Sequence, residues 1–433
     1  MTKPDEIIFL NRAYNDLDMQ LPLIEEFSRE DRFKVRVIGY PCDGGTGAPQ
    51  RHEAVPYMKA RYKNLSFETV LDKAPAPFHL RLLHKVASAA ATERQKCTCH
   101  VLEFPFKVLH VGTLKILKSL FSGKQKWLDN VAATWKPAVI ILDEVYAQPG
   151  RSYMTDTILP ALQEKNVPVY MIQTGHHIYK TDTPSGDKKP AYKKTEARRF
   201  FIPGQLDKNI TTSHFPDEHH EIAGNLRMDQ RWLQKLHHDI LQPPHFPREK
   251  TMSILPEGKP KIAFMLSKLT YGIRVEELKQ TIRTLGHMEG VALALKPHTR
   301  GMKFDFMPKE DIGHAVIAGD IPSPLLIEWA DILVFTGSSI AYHMMLLDKP
   351  AGFLKYCQKI ETVFDEGKSA LVFEMEEQLI QAIKAFRDSQ TPFIPEPAQK
   401  NIRAHLCQEV YAGDETGRTA AHYKNIIMKD LGL

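Results

Sequence analysis

The sequence predicts an α/β protein with two Rossmann-like lobes that face each other across a cleft. Its 433 residues are too many for one compact core and suit two lobes of roughly 200 residues each. Two successive runs of alternating strand and helix patterns, separated by a proline-rich stretch, support this division. We therefore expect an N-terminal lobe over residues 1–245, a C-terminal lobe over residues 246–415, and a helix over residues 416–433 that crosses back to the first lobe.

Apolar runs in the N-terminal lobe have the character of buried parallel strands. Ile7–Leu10 is one such run and Lys34–Gly39 is a second, with a helical pattern over Leu21–Phe27 between them. Strands of a parallel sheet are buried on both faces, so they appear as nearly continuous hydrophobic runs. Ala138–Leu142 and Val167–Ile172 continue this pattern, and a doubly wound parallel sheet is therefore expected.

The segment 242–261 is the best candidate for a domain boundary, because it combines prolines and charges without periodicity. Beyond it the alternation of strands and helices starts again. The strands expected there are Lys261–Leu266, Val291–Leu295 and Asp331–Phe335, and the helices are Val275–Leu285, Pro324–Trp329 and Ile340–Leu347. A second lobe of the same class therefore follows the first.

The composition is typical of a globular protein, with 43% hydrophobic and 25% charged residues. Five cysteines form an odd and sparse set, which favours a reducing compartment. The N-terminus lacks the basic and apolar regions of a signal peptide, and no run of about 18 apolar residues is present. We expect a cytoplasmic protein without a nucleic-acid partner. No metal is expected, since Cys97, Cys99 and His100 lack a second ligand pair.

The sharpest chemical signal is the segment that follows the strand Val291–Leu295. Lys296, His298 and Arg300 come together at the carboxyl end of this strand, where open α/β sheets bind their ligands. Three basic side chains there suit a phosphate or pyrophosphate, because cations neutralise the charge that develops on a leaving oxygen. We predict that all three contact the phosphates of a donor substrate.

A second signal follows the strand Asp331–Phe335, where Thr336, Gly337, Ser338 and Ser339 precede a helical pattern. The start of a helix offers unpaired N–H groups to an anion, and the hydroxyl groups add further donors. Ordinary helix capping explains the hydroxyl residues equally well when they are taken alone. Because this loop and the Lys296 loop would leave the same sheet edge, we predict that Thr336, Ser338 and Ser339 bind phosphate.

The N-terminal lobe carries candidate catalytic residues at two strand ends. His176 and His177 follow Val167–Ile172, and Glu144 follows Ala138–Leu142. Histidine titrates near neutral pH, so either imidazole is suited to take a proton from an attacking hydroxyl. Glu144 would orient the histidine or act as the base itself.

Arg227 and Asp229 lie near the end of the N-terminal lobe, shortly after Gly224. They pair with each other or with neighbours as part of the hinge, or they face the cleft. A structural role is the simpler expectation, and we keep both residues as candidates for the cleft.

Residues 107–128 form a basic amphipathic pattern with five lysines and an apolar face. One interpretation is a helix that rests on anionic lipid at the inner face of the membrane. The other is an ordinary core-facing helix with a solvated basic face. The net charge of +5 has the same two interpretations, attraction to anionic partners or a solvated surface.

In their shared order, these motifs resemble the CDP-glycerol glycerophosphotransferase-like and capsule-type surface-carbohydrate transferases. The matching segments are QTGHH at 173–177, GNLRMD at 224–229, KPH at 296–298, and TGSS with DKP at 336–350. The resemblance covers roughly residues 165–355. In three places the chain departs from the family: Gly175 stands where an aromatic residue is common, His177 stands where a glycine is usual, and Gly337 replaces an aromatic or acidic residue.

The resemblance implies a GT-B fold, with the acceptor bound by the first lobe and the nucleotide donor by the second. It implies transfer of a sugar or polyol-phosphate from a nucleotide-sugar or CDP-polyol donor to a polysaccharide or lipid-linked acceptor at the cell surface, without a metal or other cofactor. His176 is then the candidate base, with His298, Arg300, Ser338 and Ser339 on the donor phosphates. The alternatives are a nucleotide-sugar 2-epimerase and a non-catalytic polysaccharide-assembly protein.

Overall fold

The computed structural model describes residues 5–11, 14–39, 52–69, 137–143, 164–173, 175–180, 197–211, 219–298, 304–368, 370–389, 391–414 and 416–433, with isolated positions between 82 and 135. Apart from these gaps, the chain divides into two compact units. The first unit comprises Met1–Gly175, Lys189–Trp232 and Arg418–Leu433. The second unit comprises His176–Lys188 and Leu233–Gly417.

A seven-stranded parallel sheet forms the centre of the first unit, in the order β3-β2-β1-β4-β5-β6-β7. Its strands are β1 (Asp5–Asn11), β2 (Phe33–Gly39), β3 (Leu65–Thr69), β4 (Val139–Asp143), β5 (Val169–Ile172), β6 (Arg199–Ile202) and β7 (His220–Ile222). The inner strands are apolar along nearly their whole length because both faces of the sheet are covered.

The α-helices described in the first unit are α1 (Tyr14–Ser28), α2 (Ala54–Arg61), α3 (Gln205–Thr211) and the C-terminal α11 (Thr419–Leu431), and α4 (Gln230–Lys235) begins in the first unit and ends in the second. From α1, Phe27 packs edge-on against Phe9 of β1 and Phe33 of β2. From α11, the ring of Tyr423 lies 4.4 Å from that of Phe201. This contact lies within the first unit, to which Arg418–Leu433 belongs.

A six-stranded parallel sheet forms the centre of the second unit, in the order β10-β9-β8-β11-β12-β13. Its strands are β8 (Lys261–Met265), β9 (Ala292–Lys296), β10 (Val316–Ile317), β11 (Ile332–Phe335), β12 (Ala351–Leu354) and β13 (Leu371–Phe373). From β8, the strands β9 and β10 continue toward one edge of the sheet, whereas β11, β12 and β13 continue toward the other edge. The order therefore reverses between β8 and β11. At such a reversal the loops diverge and leave room for a ligand.

The helices described in the second unit surround this sheet and its edges. They are α5 (Arg248–Met252), α6 (Val275–Gly286), α7 (Ser323–Trp329), α8 (Ile340–Leu346), α9 (Glu376–Ser389) and α10 (Glu396–Tyr411). In α6 the buried residues Leu278, Ile282 and Leu285 recur at helical spacing, so one face of the helix is buried. Among the helices described in the two units, none is long and apolar enough to cross a bilayer.

The predicted fold class, α/β with two Rossmann-like parallel sheets, is confirmed. The units change over at Trp232 and Leu233, ahead of the proline-rich segment that we expected to contain the boundary. A second difference is that His176–Lys188 belongs to the second unit, although the sequence pattern placed it in the first. Most of residues 107–128 lie outside the described residues, so their relation to lipid stays a prediction.

A buried pair of histidines joins two elements of the second unit. Nε2 of His237 lies 3.0 Å from Nε2 of His343 in α8, and Nδ1 of His237 lies 3.4 Å from a carboxylate oxygen of Glu328. The carboxylate of Glu328 also accepts hydrogen bonds from Arg248. If Nδ1–H of His237 donates a hydrogen bond to the carboxylate, then Nε2 of His237 is an acceptor and Nε2–H of His343 donates to it. Both ring nitrogens of His237 thus have hydrogen-bond partners while both rings are neutral.

We expect the second unit to lose stability in mild acid because of this pair. Burial lowers the pKa of His237, and the carboxylate of Glu328 only partly offsets this effect. The unfolded state therefore binds more protons below about pH 6.5, and stability falls by at most about 1.4 kcal/mol per pH unit as the pH drops. The check is the melting temperature between pH 7.5 and 5. A His237→Asn variant should show a shallower pH dependence than the wild type, and equal slopes would contradict the assignment.

Candidate functional site at the carboxyl edge of the second sheet

The ends of β8 and β11 are joined at the point where the sheet order reverses. Both the backbone N–H and the hydroxyl of Ser267 lie 3.0 Å from the Thr336 hydroxyl oxygen. The Ser267 hydroxyl also donates to the carbonyl oxygen of Gly337 at 2.7 Å. Because Ser267 and Thr336 are buried, these bonds hold the start of the following loop in place.

Thr336 therefore has a different environment from the one predicted. Its side chain is fully buried, and its hydroxyl group bonds to Ser267 within the sheet edge. In this position the hydroxyl neither caps α8 nor reaches a ligand on the surface. The bonds of Thr336 to Ser267 hold the start of the loop in position.

Ser338 and Ser339 are partly exposed and precede α8 directly. The side chain of Ser339 makes no capping bond to the helix, and no hydrogen bond to either hydroxyl is found in the described part of the chain. The capping explanation for this pair therefore has no support in the geometry. Since α8 has only seven residues, we attribute any anion binding here to the hydroxyl groups rather than to a helix dipole.

Residues 176–180 form a short extended segment of the second unit, which we call the docking segment. Its backbone pairs with residues 361–363, because Val363 N–H donates to Ile178 C=O at 2.8 Å and Lys180 N–H donates to Glu361 C=O at 3.1 Å. Tyr179 and Thr362 form the antiparallel bridge between these two bonds. These backbone bonds fix the place of the segment beyond the end of β12.

The docking segment brings His176 to the start of α8. The ring centroid of His176 lies 5.0 Å from that of Tyr342, which is in the first turn of this helix. Ser338 and Ser339 immediately precede the same turn. The structure therefore places His176 beside the helix that the two serines precede, in the same unit as both, although the sequence pattern placed them in different lobes. His177 is also partly exposed, so either imidazole remains a candidate base.

The predicted basic cluster after β9 is only partly available to a ligand. The ammonium group of Lys296 donates to the carbonyl oxygens of Gly319 and Ile321 at 2.6 Å each, and the residue is buried. The ammonium group of Lys296 therefore holds the turn after β10. This differs from the phosphate contact that we predicted for Lys296. His298 is partly exposed, and its ring lies edge-on to that of Tyr271. Arg300 and Glu144 lie outside the described residues.

Asp229 has a structural position in the first unit. One carboxylate oxygen accepts the N–H of Trp232 in α4, and the other accepts the N–H of Ala420 in α11, both at 2.9 Å. Burial raises its pKa, and these two N–H donors partly oppose that rise. The carboxylate thus caps two helices, in keeping with the simpler structural expectation and not with a place in the cleft.

Arg227 pairs with Asp18 of α1, with its Nε 2.8 Å from a carboxylate oxygen. The other oxygen of Asp18 lies 3.4 Å from Nε2 of His52. Nδ1 of His52 accepts the N–H of Ala54 at the start of α2, so the proton of the neutral ring is on Nε2. Burial alone would lower the pKa of His52, but the carboxylates of Glu53 and Asp18 raise it overall. Arg227 therefore belongs to a polar cluster that ties α1 to α2.

Three residues of the site were missed in the sequence, namely Ser267, Tyr271 and Tyr179. Ser267 and Tyr271 follow β8, so the rule that ligands bind at the carboxyl ends of strands could have found them. The ring of Tyr271 lies edge-on to those of both Tyr179 and His298. No local pattern marks Tyr179, because its contacts join residues more than 90 positions apart in the chain. In the described ranges, no group of three or more potential metal ligands is found.

Two successive Rossmann-like units of this kind define the GT-B architecture, and comparison with solved structures agrees. The chain is similar to UDP-GlcNAc 2-epimerase from Neisseria meningitidis, with a TM-score of 0.58 and 13% identity over 98% of this chain and 100% of that one. It is similar to the UDP co-structure of S. aureus MnaA, with a TM-score of 0.55 and 13% identity over 99% and 97% of the two chains.

The wall teichoic acid polymerase TagF is a third similar structure, with a TM-score of 0.55 and 12% identity over 99% of this chain and 90% of that one. No protein-family model matches the chain. No curated protein matches it by sequence. At such low identity the similarity establishes the fold alone, so the GT-B part of the resemblance is supported and the particular family stays a prediction.

Proposed function

We propose that this chain is a transferase that moves a sugar or polyol-phosphate from a nucleotide-activated donor to a polysaccharide or glycolipid of the cell surface. The observation that carries the proposal is the placement of His176 beside Tyr342 in the first turn of α8, the helix that Ser338 and Ser339 directly precede. A base next to an anion site is the arrangement that displacement at an activated phosphate ester requires.

In the proposed reaction, Ser338, Ser339 and His298 hold the donor phosphates, with Arg300 as a further predicted contact. His176 takes the proton from the acceptor hydroxyl, and His177 is the alternative base. The acceptor oxygen then bonds to the transferred carbon or phosphorus while the bond to the nucleotide oxygen breaks. Hydrogen bonds from the phosphate site stabilise the negative charge that the departing nucleotide gains.

The solved structures support a nucleotide ligand. The Neisseria meningitidis epimerase is bound to UDP-GlcNAc and MnaA to UDP. TagF is a polymerase of wall teichoic acid, a surface polymer. Together they favour a nucleotide-activated donor for this chain, with the acceptor and any contact of residues 107–128 with the membrane as further parts of the proposal.

Replacing Ser338 and Ser339 together with alanine should weaken the binding of CDP or UDP at least tenfold. Each hydroxyl that bonds to a charged phosphate contributes about 1.5–3 kcal/mol. A thermal-shift titration with nucleotides measures this, since a ligand that binds only the folded protein raises its melting temperature. Ser253→Ala is the matched control, because this exposed serine of the same unit bonds only to the Lys250 carbonyl. Unchanged nucleotide affinity in the double variant would remove these serines from the site.

A nucleotide-sugar 2-epimerase is a second candidate, because the TM-score of 0.58 comes from an enzyme of that activity. Incubation with UDP-GlcNAc alone separates the two, since an epimerase forms the 2-epimer without an acceptor and a transferase leaves the sugar unchanged. If the wild-type protein binds no nucleotide at all, a non-catalytic assembly protein is the remaining candidate.

A further inference from the structure

We propose that Tyr179 is a positioning residue, which sets His176 in register with the loop that carries Ser338 and Ser339. The inference rests on the proposed function, because it concerns how the base and the donor-phosphate site are held together. Tyr179 itself is not expected to touch the substrate.

The contact that carries the inference is a hydrogen bond from the Tyr179 hydroxyl to the carbonyl oxygen of Gly337, at 3.2 Å. Tyr179 is buried, and burial raises its pKa to about 12. The hydroxyl therefore keeps its proton at neutral pH and remains a donor. Because Gly337 precedes Ser338 directly, this bond joins the docking segment to the loop that carries Ser338 and Ser339.

Gly337 makes this contact possible because it has no side chain. A Cβ atom at this position would lie 3.0 Å from the Tyr179 hydroxyl oxygen and 2.7 Å from Nε2 of Gln358. Gln358 is buried, so its amide has little room to retreat. Any side chain at position 337 would therefore press on Gln358 and Tyr179, which gives a physical reason for the glycine in this chain.

The backbone of the docking segment transmits the position of Tyr179 to His176. Its bonds to Glu361 and Val363 set the depth of the segment along residues 361–363. The hydrogen bond from Tyr179 to Gly337 adds a second constraint, toward the loop after β11. His176 lies three residues before Tyr179, so a shift of the tyrosine moves the imidazole relative to Ser338 and Ser339.

Lys180 provides a matched control on the same segment. Its ammonium pairs with Glu361 at 2.8 Å and with Glu366 at 2.6 Å, and both carboxylates are exposed. Exposed ion pairs contribute about 0–1 kcal/mol, so the docking segment should remain in place without them. Lys180→Ala therefore tests attachment of the segment, whereas Tyr179→Phe tests its register.

Tyr179→Phe retains the ring that packs against Tyr271 and removes only the hydroxyl. With CDP-glycerol or UDP-GlcNAc as donor, we expect kcat to fall about tenfold, the change that corresponds to one hydrogen bond of about 1.4 kcal/mol, with KM within twofold. The His176 ε1 proton, assigned by comparison with His176→Gln, should shift in the ¹H–¹³C spectrum of Tyr179→Phe. In Lys180→Ala, both kcat and this resonance should remain close to the wild type.

The two readouts separate failure of this inference from failure of the proposed function. If the His176 resonance is the same in Tyr179→Phe and in the wild type, the positioning role is wrong, whatever the activity. If the resonance shifts but the wild-type protein neither binds a nucleotide nor uses a donor, the proposed function fails while Tyr179 still positions the imidazole. An equal loss of kcat in Lys180→Ala would also overturn the inference, since general loosening of the segment would then explain it.

Discussion

Replacing His176 with alanine is expected to lower kcat by about 100- to 10,000-fold, the usual contribution of a general base. The imidazole lies beside the first turn of α8, and its ring contact with Tyr342 is at a partly exposed position. The variant should therefore fold normally, with a melting temperature close to that of the wild type. Nucleotide affinity should also be preserved, because Ser338 and Ser339 are unchanged. The measurement is single-turnover transfer with saturating donor.

His177→Ala is the control for this prediction, because the two histidines are adjacent in the chain and are both partly exposed. A small effect in His177→Ala together with a large one in His176→Ala assigns the base. The opposite result would transfer the role to His177 and would leave the donor site as proposed. Full activity in both variants would exclude the docking segment from the chemistry and would direct attention to Glu144.

Asp229→Ala should lower the free energy of unfolding by about 2–4 kcal/mol, the largest stability effect that we expect from one substitution. Each helix cap contributes about 0.5–2 kcal/mol, and a buried N–H without an acceptor costs about 1–3 kcal/mol. Asp229 accepts from Trp232 and from Ala420, so its removal affects both α4 and the C-terminal helix. Urea denaturation at pH 7 measures the change.

Asp239→Ala is a suitable comparison, since this exposed carboxylate lies 3.7 Å from the ammonium group of Lys235 at the surface. Its loss should change stability by less than about 1 kcal/mol. If Asp229→Ala proved as stable as the wild type but lost activity, the residue would have the cleft role that we first considered. The free energy of unfolding of Asp229→Asn should lie between those of Asp229→Ala and the wild type, because asparagine retains one acceptor oxygen.

Much of the fold was predictable because long parallel strands leave a strong local signal. β1, β2, β4, β8 and β11 were all expected within one or two residues of where they occur. No strand was predicted at β3, β6 or β12, and none at β7, β10 or β13, which have two or three residues and lie at the edges of the sheets. Such short, half-covered strands depend on a neighbour for their hydrogen bonds, and their sequences carry little periodicity.

The sequence led to a location for the candidate site but not to the orientation of its side chains. The rule that ligands bind beyond the carboxyl ends of strands led to the loops after β9 and β11. It could not show that Lys296 turns toward the carbonyl oxygens of Gly319 and Ile321, or that Thr336 is enclosed by Ser267. Both outcomes follow from burial, because a buried ammonium or hydroxyl group bonds to the nearest acceptor within the protein.

Local patterns in the chain were thus enough to predict two α/β units and the succession of their main strands along the chain, since backbone periodicity and apolar content act over a few residues. The assignment of His176 to the second unit, the bond from Tyr179 to Gly337 and the double cap at Asp229 appeared only in the folded chain. Each of these contacts joins residues that lie between about 100 and 200 positions apart. Contacts at that separation form only when complete sheets and helices have packed, and no short motif specifies them.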